Sequence, residues 1–409
     1  MTYLWLALLF VVAAGISGIL LVRVRGTRES TRTHWAIAGV TFLVLAVLTA
    51  VFDSVMIGME LFDFGSAHIL GVRIGLAPIE DFSYPLVCVL LLPALWLALT
   101  RVREARVREA RVREARVPTQ RQGLVSQALL ASRPVSWINT AFPFAAAYLL
   151  TTREIDWVLI VGTVYFLIPY NLAMYGINDV FDYASDLKNP RKGGLEGALL
   201  APRLHRPLLW LVAATNLPFL IVLAAAGGPV VWVSLAFSTF TVIAYSAPGL
   251  RFKERPIIDS ITSSTHFVNP AIVGLALAGV EVTPGLVIVL AAFFLWGMAA
   301  HAFGAVQDIV PDRDAGIASI ATVFGARRTV RLSVALWSVA GLAMLATAWP
   351  GPLVSLVAIP YLLNSLPWWN VTESTAADTN RSWRRFIWLN YGSGFLVTLA
   401  LILLWMQGP

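Results

Sequence analysis

Charged residues are scarce in this sequence of 409 residues: they make up 13% of it, whereas soluble globular chains average about 25%. Cysteine is almost absent, and the single Cys88 excludes an intramolecular disulfide. Lysine occurs only three times, so the net charge of +7 comes almost wholly from arginine. Hydrophobic residues, by contrast, reach 58%, and the mean hydropathy is +0.75. These proportions exclude a water-soluble enzyme and predict an integral membrane protein.

Apolar runs long enough to cross a bilayer recur along the whole chain. A hydrocarbon core about 30 Å thick requires roughly 20 mostly apolar residues per helix. The first run lacks a basic segment before it and a clear cleavage site, so we interpret it as a span rather than a signal peptide. We predict twelve spans, at about residues 3–22, 34–56, 78–99, 135–152, 157–177, 207–226, 229–248, 261–280, 285–306, 332–349, 352–369 and 386–406. The predicted fold is therefore an all-α membrane protein, with a three-helix N-terminal unit and a nine-helix bundle.

The basic residues lie on alternate loops. With twelve spans, 28 of the 30 basic residues fall on one side of the membrane, and the exceptions are Arg73 and Arg153. Because loops rich in Lys and Arg stay in the cytoplasm, we predict that this side is cytoplasmic and that both termini lie outside. In a multi-pass protein of the cell membrane such a distribution reports topology, so no nucleic-acid partner is predicted.

A low-complexity segment divides the chain. Residues 101–117 repeat five residues, RVREA, and Pro118 ends any helix that they form. Pairs of Glu and Arg four residues apart favour a solvated linker helix over a strip that binds lipid headgroups. We therefore predict three parts: a three-span unit over 1–100, a linker over 101–124, and a nine-span unit over 125–409.

Two acidic motifs stand at the predicted cytoplasmic ends of spans. Asn178, Asp182 and Asp186 recur every four residues in NDVFDYASD, and Asp308 and Asp312 have the same spacing in QDIVPDRDAG. Residues spaced in this way share one face of a helix. A single such cluster is often only a set of solvated loop charges. Two clusters on one side indicate Mg²⁺, which binds through a few carboxylates together with substrate phosphates.

Basic residues accompany both motifs. Lys188, Arg191 and Lys192 follow the first motif, and YSAPGLRFKERP in another cytoplasmic loop supplies Arg251 and Lys253. A diphosphate leaving group gains negative charge as its bond to carbon breaks, and preorganised cations stabilise that transition state. The pattern therefore indicates chemistry on a prenyl diphosphate. The surrounding helices would hold the apolar hydrocarbon chain of that substrate.

Residues from about 125 to 409 resemble the UbiA-type membrane prenyltransferases, which have nine transmembrane helices and two Asp-rich motifs. The resemblance lies in NDVFDYASD, in YSAPGLRFK, and in DIVPDRDAGIASIATVFGA. It implies Mg²⁺ and diphosphate ligands at Asn178, Asp182, Asp186, Asp308 and Asp312, with Asp179 and Asp314 as helpers. It also implies diphosphate contacts from Tyr245, Arg251 and Lys253, and the basic residues Lys188 and Arg191 after the first motif are predicted to join them. The prenyl acceptors of this family vary, so the motifs indicate the reaction and leave the acceptor open.

Three acidic residues at the edges of predicted spans mark the N-terminal unit: Asp53, Glu80 and Asp81. Ionisable groups at such depth are costly and often functional, although Glu80 and Asp81 also suit the positive N-terminus of a helix. The unit resembles the three-span subunits of bacterial heterodimeric lycopene cyclases through Pro78-Ile79-Glu80-Asp81-Phe82. That resemblance implies a carboxylic acid that protonates the end of a polyene, and a second small subunit as partner.

A cyclase-like unit fused to a prenyltransferase resembles the bacterial C50-carotenoid pathway, in which a lycopene elongase adds C5 units. We therefore expect Mg²⁺-dependent transfer of dimethylallyl groups from dimethylallyl diphosphate to the ends of lycopene. A prenyltransferase acting on a quinone precursor or another isoprenoid would share every C-terminal motif. A twelve-span transporter is a further alternative, but it should show repeated halves and polar helices at mid-membrane. The N-terminal unit is alternatively an assembly module without chemistry of its own.

Overall fold

The computed structural model describes residues 2–23, 28–60, 62–95, 123–183 and 199–407. The chain forms two compact units, Met1–Gln120 and Arg121–Pro409. The repeat over 101–117 lies outside the described residues, as do Asp186, Lys188, Arg191 and Lys192. The predictions made for those residues therefore stay predictions.

The N-terminal unit contains two long helices, a short hairpin and a third helix. Its elements are α1 (Thr2–Arg23), α2 (Arg28–Gly58), β1 (Arg73–Ile74), β2 (Ala77–Pro78), a 3₁₀ turn (Ile79–Phe82) and α3 over 83–95. The third predicted span, 78–99, therefore becomes helical only from residue 83, because the hairpin and the 3₁₀ turn occupy its start. Gly75 has a φ of +66° at the hairpin turn, and the next backbone N–H, of Leu76, donates to Ser54 Oγ at 2.9 Å. This contact holds the acidic segment against α2.

The C-terminal unit is a helical bundle with short connecting turns. Its helices are α4 (Leu124–Ala131), α5 (Ile138–Thr152), α6 (Trp157–Leu167), α7 (Pro169–Phe181), α8 (His205–Ala226), α9 (Pro229–Ser246), α10 (Ile258–Leu277), α11 (Pro284–Val306), α12 (Ile309–Asp314), α13 (Ile320–Phe324), α14 (Ala326–Met344), α15 (Gly351–Val354), α16 (Ala358–Ser365) and α17 (Asn380–Met406). Two of its 3₁₀ turns, Phe252–Glu254 and Glu373–Thr379, bear on the site.

The described helices confirm an all-α membrane protein. Seven stretches are long and apolar enough to cross a bilayer: Tyr3–Leu20, Trp35–Gly58, Trp157–Phe181, Pro202–Ala226, Pro229–Ser246, Pro284–Val306 and Glu373–Met406. The predicted span over 135–152 corresponds to the shorter α5. The predicted span over 352–369 is divided between α15 and α16. The later start of α5 follows from Pro134, which begins a 3₁₀ turn before it. The turn Ser355–Val357 separates α15 from α16, and Pro360, which has no N–H to donate, lies in the first turn of α16.

The first acidic motif is positioned by a break in one long predicted span. The helix is interrupted at Ile168, between α6 and α7, because Pro169 has no N–H to donate. Asn171 supports the carbonyls at the break, since its Nδ2 donates to those of Phe166 and Leu167 at 2.9 and 3.1 Å. Thr140 Oγ1 also donates to Phe166 at 2.7 Å. These buried bonds fix the direction in which α7 leads to its motif.

The helix α10 packs closely against α5 and α11. A Cβ atom at Gly274 would lie 2.8 Å from the carbonyl oxygen of Phe144 in α5, and one at Gly297 would lie 2.4 Å from Ser264 Oγ in α10. Small residues allow helix backbones to approach in this way. The close contacts bring the residues that follow α9 and α11 to the same end of the bundle as the end of α7.

Candidate active site

A cavity of about 2460 Å³ opens inside the C-terminal unit. Pockets for drug-sized ligands have volumes of about 300–1,000 Å³, so this cavity has room for a second, much longer molecule. Most of its wall is apolar and aromatic, and includes Phe142, Phe267, Trp296, Trp337 and Phe386. The polar residues that line one end are Asn178, Asp182, Tyr245, Lys253, Asp308 and Asp312. The structure therefore gathers six of the predicted site residues, from two motifs and the intervening loop, at one place.

The first motif is at the end of α7. Asp182 is the C-cap residue and is 7% exposed. The side-chain oxygen of Asn178 accepts a hydrogen bond from Ser246 Oγ at 2.8 Å, which ties the motif to the end of α9. Asp179 is buried and accepts from Arg133 at 3.1 Å. Because Asp179 does not line the cavity, the structure separates it from the other predicted ligands.

The second motif forms the junction between α11 and α12. Asp308 precedes α12 and Asp312 lies within it, so both side chains belong to the turn that caps the cavity. Arg313 donates to the carbonyl of Thr322 at 2.9 Å and forms a two-pronged contact with Glu373. These contacts anchor α12 to the following segments. Asp314 ends the helix and is exposed, so it contributes nothing to the cavity wall.

Two cations of the turn Phe252–Glu254 and its N-cap reach the first motif. The ammonium group of Lys253 contacts the carboxylate of Asp182, and Arg251 Nη2 is 3.6 Å from the same oxygen. Arg251 also donates to Glu254, and this bond lowers the pKa of the Glu254 carboxyl. Burial lowers the pKa of Lys253 to about 8, against the opposing effect of nearby carboxylates. The charge of Lys253 is therefore poised to respond to an anion at this end of the cavity.

The donor set suits Mg²⁺ only together with a ligand. Among the residues that the structure describes, no three His, Cys, Asp or Glu side chains converge closely enough to hold a metal ion by themselves. Oxygen donors from both motifs nevertheless line the same end of the cavity. Mg²⁺ is usually held by one or two carboxylates plus substrate phosphates. Asn178, Asp182, Asp308 and Asp312 fit that mode, in which a diphosphate completes the coordination.

Three further residues were not predicted for the site. Arg133 lines the cavity, pairs with Asp179 and lies 4.1 Å from the centre of the Tyr175 ring. Asp259 is fully buried and accepts the backbone N–H of Ile320 at 2.6 Å, which holds the segment after the second motif. The sequence shows Arg133 only as one of many basic loop residues. Asp259 belongs to no sequence motif, and Ile320 is 61 residues away along the chain. The sequence therefore gave no indication of their contact.

His301 is the third of these residues. Its Nε2 lies 3.1 Å from Tyr245 Oη and its Nδ1 lies 3.0 Å from Ser260 Oγ. His301 and Tyr245 both line the cavity and are partly exposed to it. The seven residues between His301 and Asp308 correspond to two helical turns, so His301 lies on α11 about two turns before the second motif. This seven-residue spacing was the feature of the sequence that could have indicated His301 as a site residue.

The N-terminal unit also brings its three predicted acidic residues close together. The Asp81 carboxyl lies close enough to Asp53 and Glu80 for their charges to interact. Glu80 is buried, and its Oε1 accepts the backbone N–H of Leu70 at 2.5 Å. Its Oε2 has no hydrogen-bond partner within the described part of the unit.

Comparison with known proteins places this geometry in a family. Residues 140–390 match the UbiA prenyltransferase family. A C50 β-cyclic carotenoids biosynthesis protein of Dietzia sp. is 44% identical over 99% of both chains. A lycopene elongase/hydratase of Corynebacterium glutamicum is 52% identical over 67% of this chain and 96% of its own. A solved structure from work on digeranylgeranylglyceryl phosphate synthase superposes with a TM-score of 0.51 at 15% identity, over 70% of this chain and 99% of the other, and this shows likeness of fold.

These matches extend over more than half of the chain and include both acidic motifs. The seven long apolar stretches agree with them. The chain is therefore a multi-pass membrane protein that belongs to the UbiA prenyltransferase family.

Proposed function

We propose that this protein transfers dimethylallyl groups from dimethylallyl diphosphate to the ends of lycopene, in the biosynthesis of C50 carotenoids. The observation that supports this most strongly is the cavity, in which two acidic motifs and Lys253 meet at one end of a long apolar chamber. Relatives named lycopene elongase/hydratase support the acceptor. The cytoplasmic position of the motifs and the external position of both termini are part of the proposal.

The chain's own residues bind and orient the diphosphate. Asn178, Asp182, Asp308 and Asp312 would hold Mg²⁺, which when bound neutralises charge on the leaving group. Lys253 and Arg251 approach the same carboxylate and are placed to stabilise the diphosphate as its bond to carbon breaks. Asp186, Lys188 and Arg191 complete the proposed binding set, and Tyr245 remains a proposed contact. Asp179 is better suited to orienting Arg133 than to holding a metal.

The apolar wall keeps water from the allylic cation. Trp296 packs edge-on against Tyr361 at 5.6 Å between ring centres, and Tyr361 stacks on Trp337 at 5.7 Å. Aromatic faces attract a nearby cation without supplying a nucleophile. The terminal alkene of the acceptor attacks the allylic carbon, forms the new C–C bond and leaves a tertiary cation on the acceptor.

The experiment uses a host that accumulates lycopene. Expression should convert lycopene to carotenoids enlarged by five and ten carbons. Asp182→Asn and Asp308→Asn should abolish the conversion while the protein remains in the membrane, because each removes a carboxylate charge from the site. Asp378→Asn is the matched control, since Asp378 is exposed and pairs only with Arg381 at 3.5 Å among the described contacts. Unchanged lycopene with the wild type, alongside activity on a quinone precursor in membranes, would contradict the acceptor.

For the N-terminal unit we propose a half-site for ring closure that works with a second small subunit. The proximity of the Asp53, Glu80 and Asp81 carboxyls and the burial of Glu80 support a proton donor. The Dietzia relative, named for cyclic products, aligns over almost the whole chain and so includes this unit. Protonation of the polyene end would create a cation that closes a ring and then loses a proton.

The test adds the partner subunit to the same host. Glu80→Gln and Asp53→Asn should leave elongation intact and reduce the cyclic fraction of the products. Glu60→Gln serves as the control, because Glu60 is exposed near the end of α2. If both acidic variants form cyclic products as the wild type does, the unit is an assembly module only.

A further inference from the structure

We propose that Tyr245 and His301 form the proton-accepting pair that ends the transfer reaction. The tertiary cation left on the acceptor must be quenched, and quenching releases one proton. This inference rests on the proposed function, and it names the residues that receive that proton. Neither acidic motif is suited to the task, since its carboxylates are engaged by cations and the leaving group.

The geometry places a base beside the cation rather than beside the diphosphate. His301 lies on α11, seven residues before Asp308, which corresponds to about 10 Å of helical rise. A dimethylallyl unit whose diphosphate is bound at the motifs would extend along the cavity towards this level. Tyr245 and His301 both line the cavity and are partly exposed, whereas Ser260 is fully buried. The pair therefore faces the cavity, and Ser260 supports His301 from the protein interior.

The two hydrogen bonds of His301 define a direction for the proton. Tyr245 Oη lies 3.1 Å from Nε2 and Ser260 Oγ lies 3.0 Å from Nδ1, and the transfer requires the tautomer in which Nδ1 carries the proton and Nε2 accepts from the Tyr245 hydroxyl. A proton arriving at Tyr245 Oη lets the phenol pass its own proton to Nε2, which yields an imidazolium. The Tyr245 phenol is regenerated in the same step. Histidine is the side chain best suited to such a transfer near neutral pH.

The step balances for either fate of the cation. If the carbon next to the cationic centre loses its proton, the C–H electron pair becomes the new double bond. If water adds instead, its O–H pair stays with oxygen and the product is a tertiary alcohol. In both cases one proton enters the pair, and it passes to solvent when the product leaves and the cavity opens to water.

A buried carboxylate stabilises the imidazolium that forms. Asp259 is adjacent to Ser260 and accepts its backbone N–H at 2.6 Å. It is fully buried and interacts electrostatically with His301. Burial of His301 disfavours the charged ring, and the opposite charge of Asp259 acts against that cost and favours the protonated form. Asp259 and Ser260 act here as positioning residues.

The experiment measures two products from one reaction of the purified full-length protein with Mg²⁺, dimethylallyl diphosphate and lycopene. Diphosphate release reports ionisation of the donor, and chromatography reports elongated carotenoid. In His301→Gln we expect carotenoid formation to fall by about 100-fold and diphosphate release by less than roughly 10-fold. The excess of diphosphate release over carotenoid formation should appear as dimethylallyl alcohol. A tertiary cation that is not deprotonated breaks its new C–C bond again, and water captures the allylic cation that this releases.

Tyr245→Phe should show the same loss of coupling between diphosphate release and carotenoid formation. The double variant should be no worse than the poorer single variant, because residues that act as one unit are not additive. His68→Gln, the same substitution in the N-terminal unit, is the matched control. A parallel fall in both products in His301→Gln would overturn the proposal, as would a KM effect alone in Tyr245→Phe. If the wild type itself forms no elongated carotenoid, the proposed function fails instead.

Discussion

The protonation of Lys253 makes the positive charge at the diphosphate end of the cavity depend on pH. Its pKa is lowered to about 8 by burial, so its ammonium group is lost as the pH rises through 8 rather than at the usual value above 10. The protonated form is the one that stabilises diphosphate. We therefore predict that kcat/KM for dimethylallyl diphosphate falls on an alkaline limb near pH 8, since this parameter reports groups of the free enzyme.

Lys253→Arg tests this assignment directly. A guanidinium stays charged at every accessible pH, so the alkaline limb should move upwards by at least about one pH unit. Arg255→Lys is the control in the same loop, because Arg255 lies over the Phe252 ring rather than on the motif. A limb that stays near pH 8 in Lys253→Arg would assign it to another group.

At the scale of single residues, the sequence predicts those that belong to a motif. Asn178, Asp182, Asp308 and Asp312 share spacing and chemistry that are visible along the chain, and all four line the cavity. Pairs formed between distant helices have no such signature. The contact between Tyr245 and His301 joins residues 56 apart, and neither helical periodicity nor local composition encodes it.

Among the elements, the break between α6 and α7 is the one that most directly sets the position of the first motif. Asn171 is fully buried and supplies donors to Thr140, Phe166 and Leu167. Asn171→Leu keeps similar volume but leaves the Leu167 carbonyl without this donor. We expect a loss of about 1–3 kcal/mol of stability and a raised KM for dimethylallyl diphosphate.

Thermal unfolding of the purified variant in detergent measures the first effect, and initial rates measure the second. Asn370→Leu is the control, since Asn370 is exposed and accepts a single bond from Arg331; exposed substitutions change stability by about 0.5 kcal/mol or less. An unchanged unfolding temperature in Asn171→Leu would show that the break needs no side-chain donor.

The helix α17 offers a second test at the same scale. Gly394 lines the cavity, and a Cβ atom there would meet nothing within 4 Å. Gly394→Phe should therefore fill part of the cavity without displacing neighbouring side chains or backbone. It should lower kcat/KM for lycopene by at least about 10-fold. Hydrolysis of dimethylallyl diphosphate without acceptor should persist.

Gly392 provides the matched control for that substitution. It also has open space around its Cα, but it does not line the cavity. Gly392→Phe should leave carotenoid formation near the wild-type rate when products are separated by chromatography. Equal losses in the two variants would mean that the effect comes from α17 itself rather than from the cavity.

Elements were predicted best where hydropathy alone defines them. The long apolar helices α8, α9 and α11 begin and end close to the predicted spans. The interruptions at Ile168 and within 352–369 were not predicted, because a hydropathy window averages over a single proline. The onset of α3 was also misplaced, since the preceding hairpin is itself apolar.

At the scale of the whole C-terminal unit, the cavity extends along the full length of the bundle. Asp308 and Asp312 line one end, and Thr151, Thr283 and Leu404 line the other. Along α11 the distance from one end to the other is roughly 35 Å at about 1.5 Å per residue, slightly more than the thickness of the hydrocarbon core, which is about 30 Å. A linear polyene therefore fits along the cavity with one end at the motifs and the opposite end at the far side.

This geometry predicts that the two ends of lycopene are modified in separate binding events. Only one end reaches the motifs at a time, so the acceptor must leave and enter again in the reverse direction. A carotenoid enlarged by five carbons should accumulate first and decline later. Its maximum concentration should increase as the ratio of lycopene to enzyme is raised. Adding isotopically labelled lycopene midway should give labelled and unlabelled intermediates that compete equally for the second transfer. If the fully extended product forms without a free intermediate, both ends are processed in one visit, and the cavity must then hold the acceptor in a bent conformation.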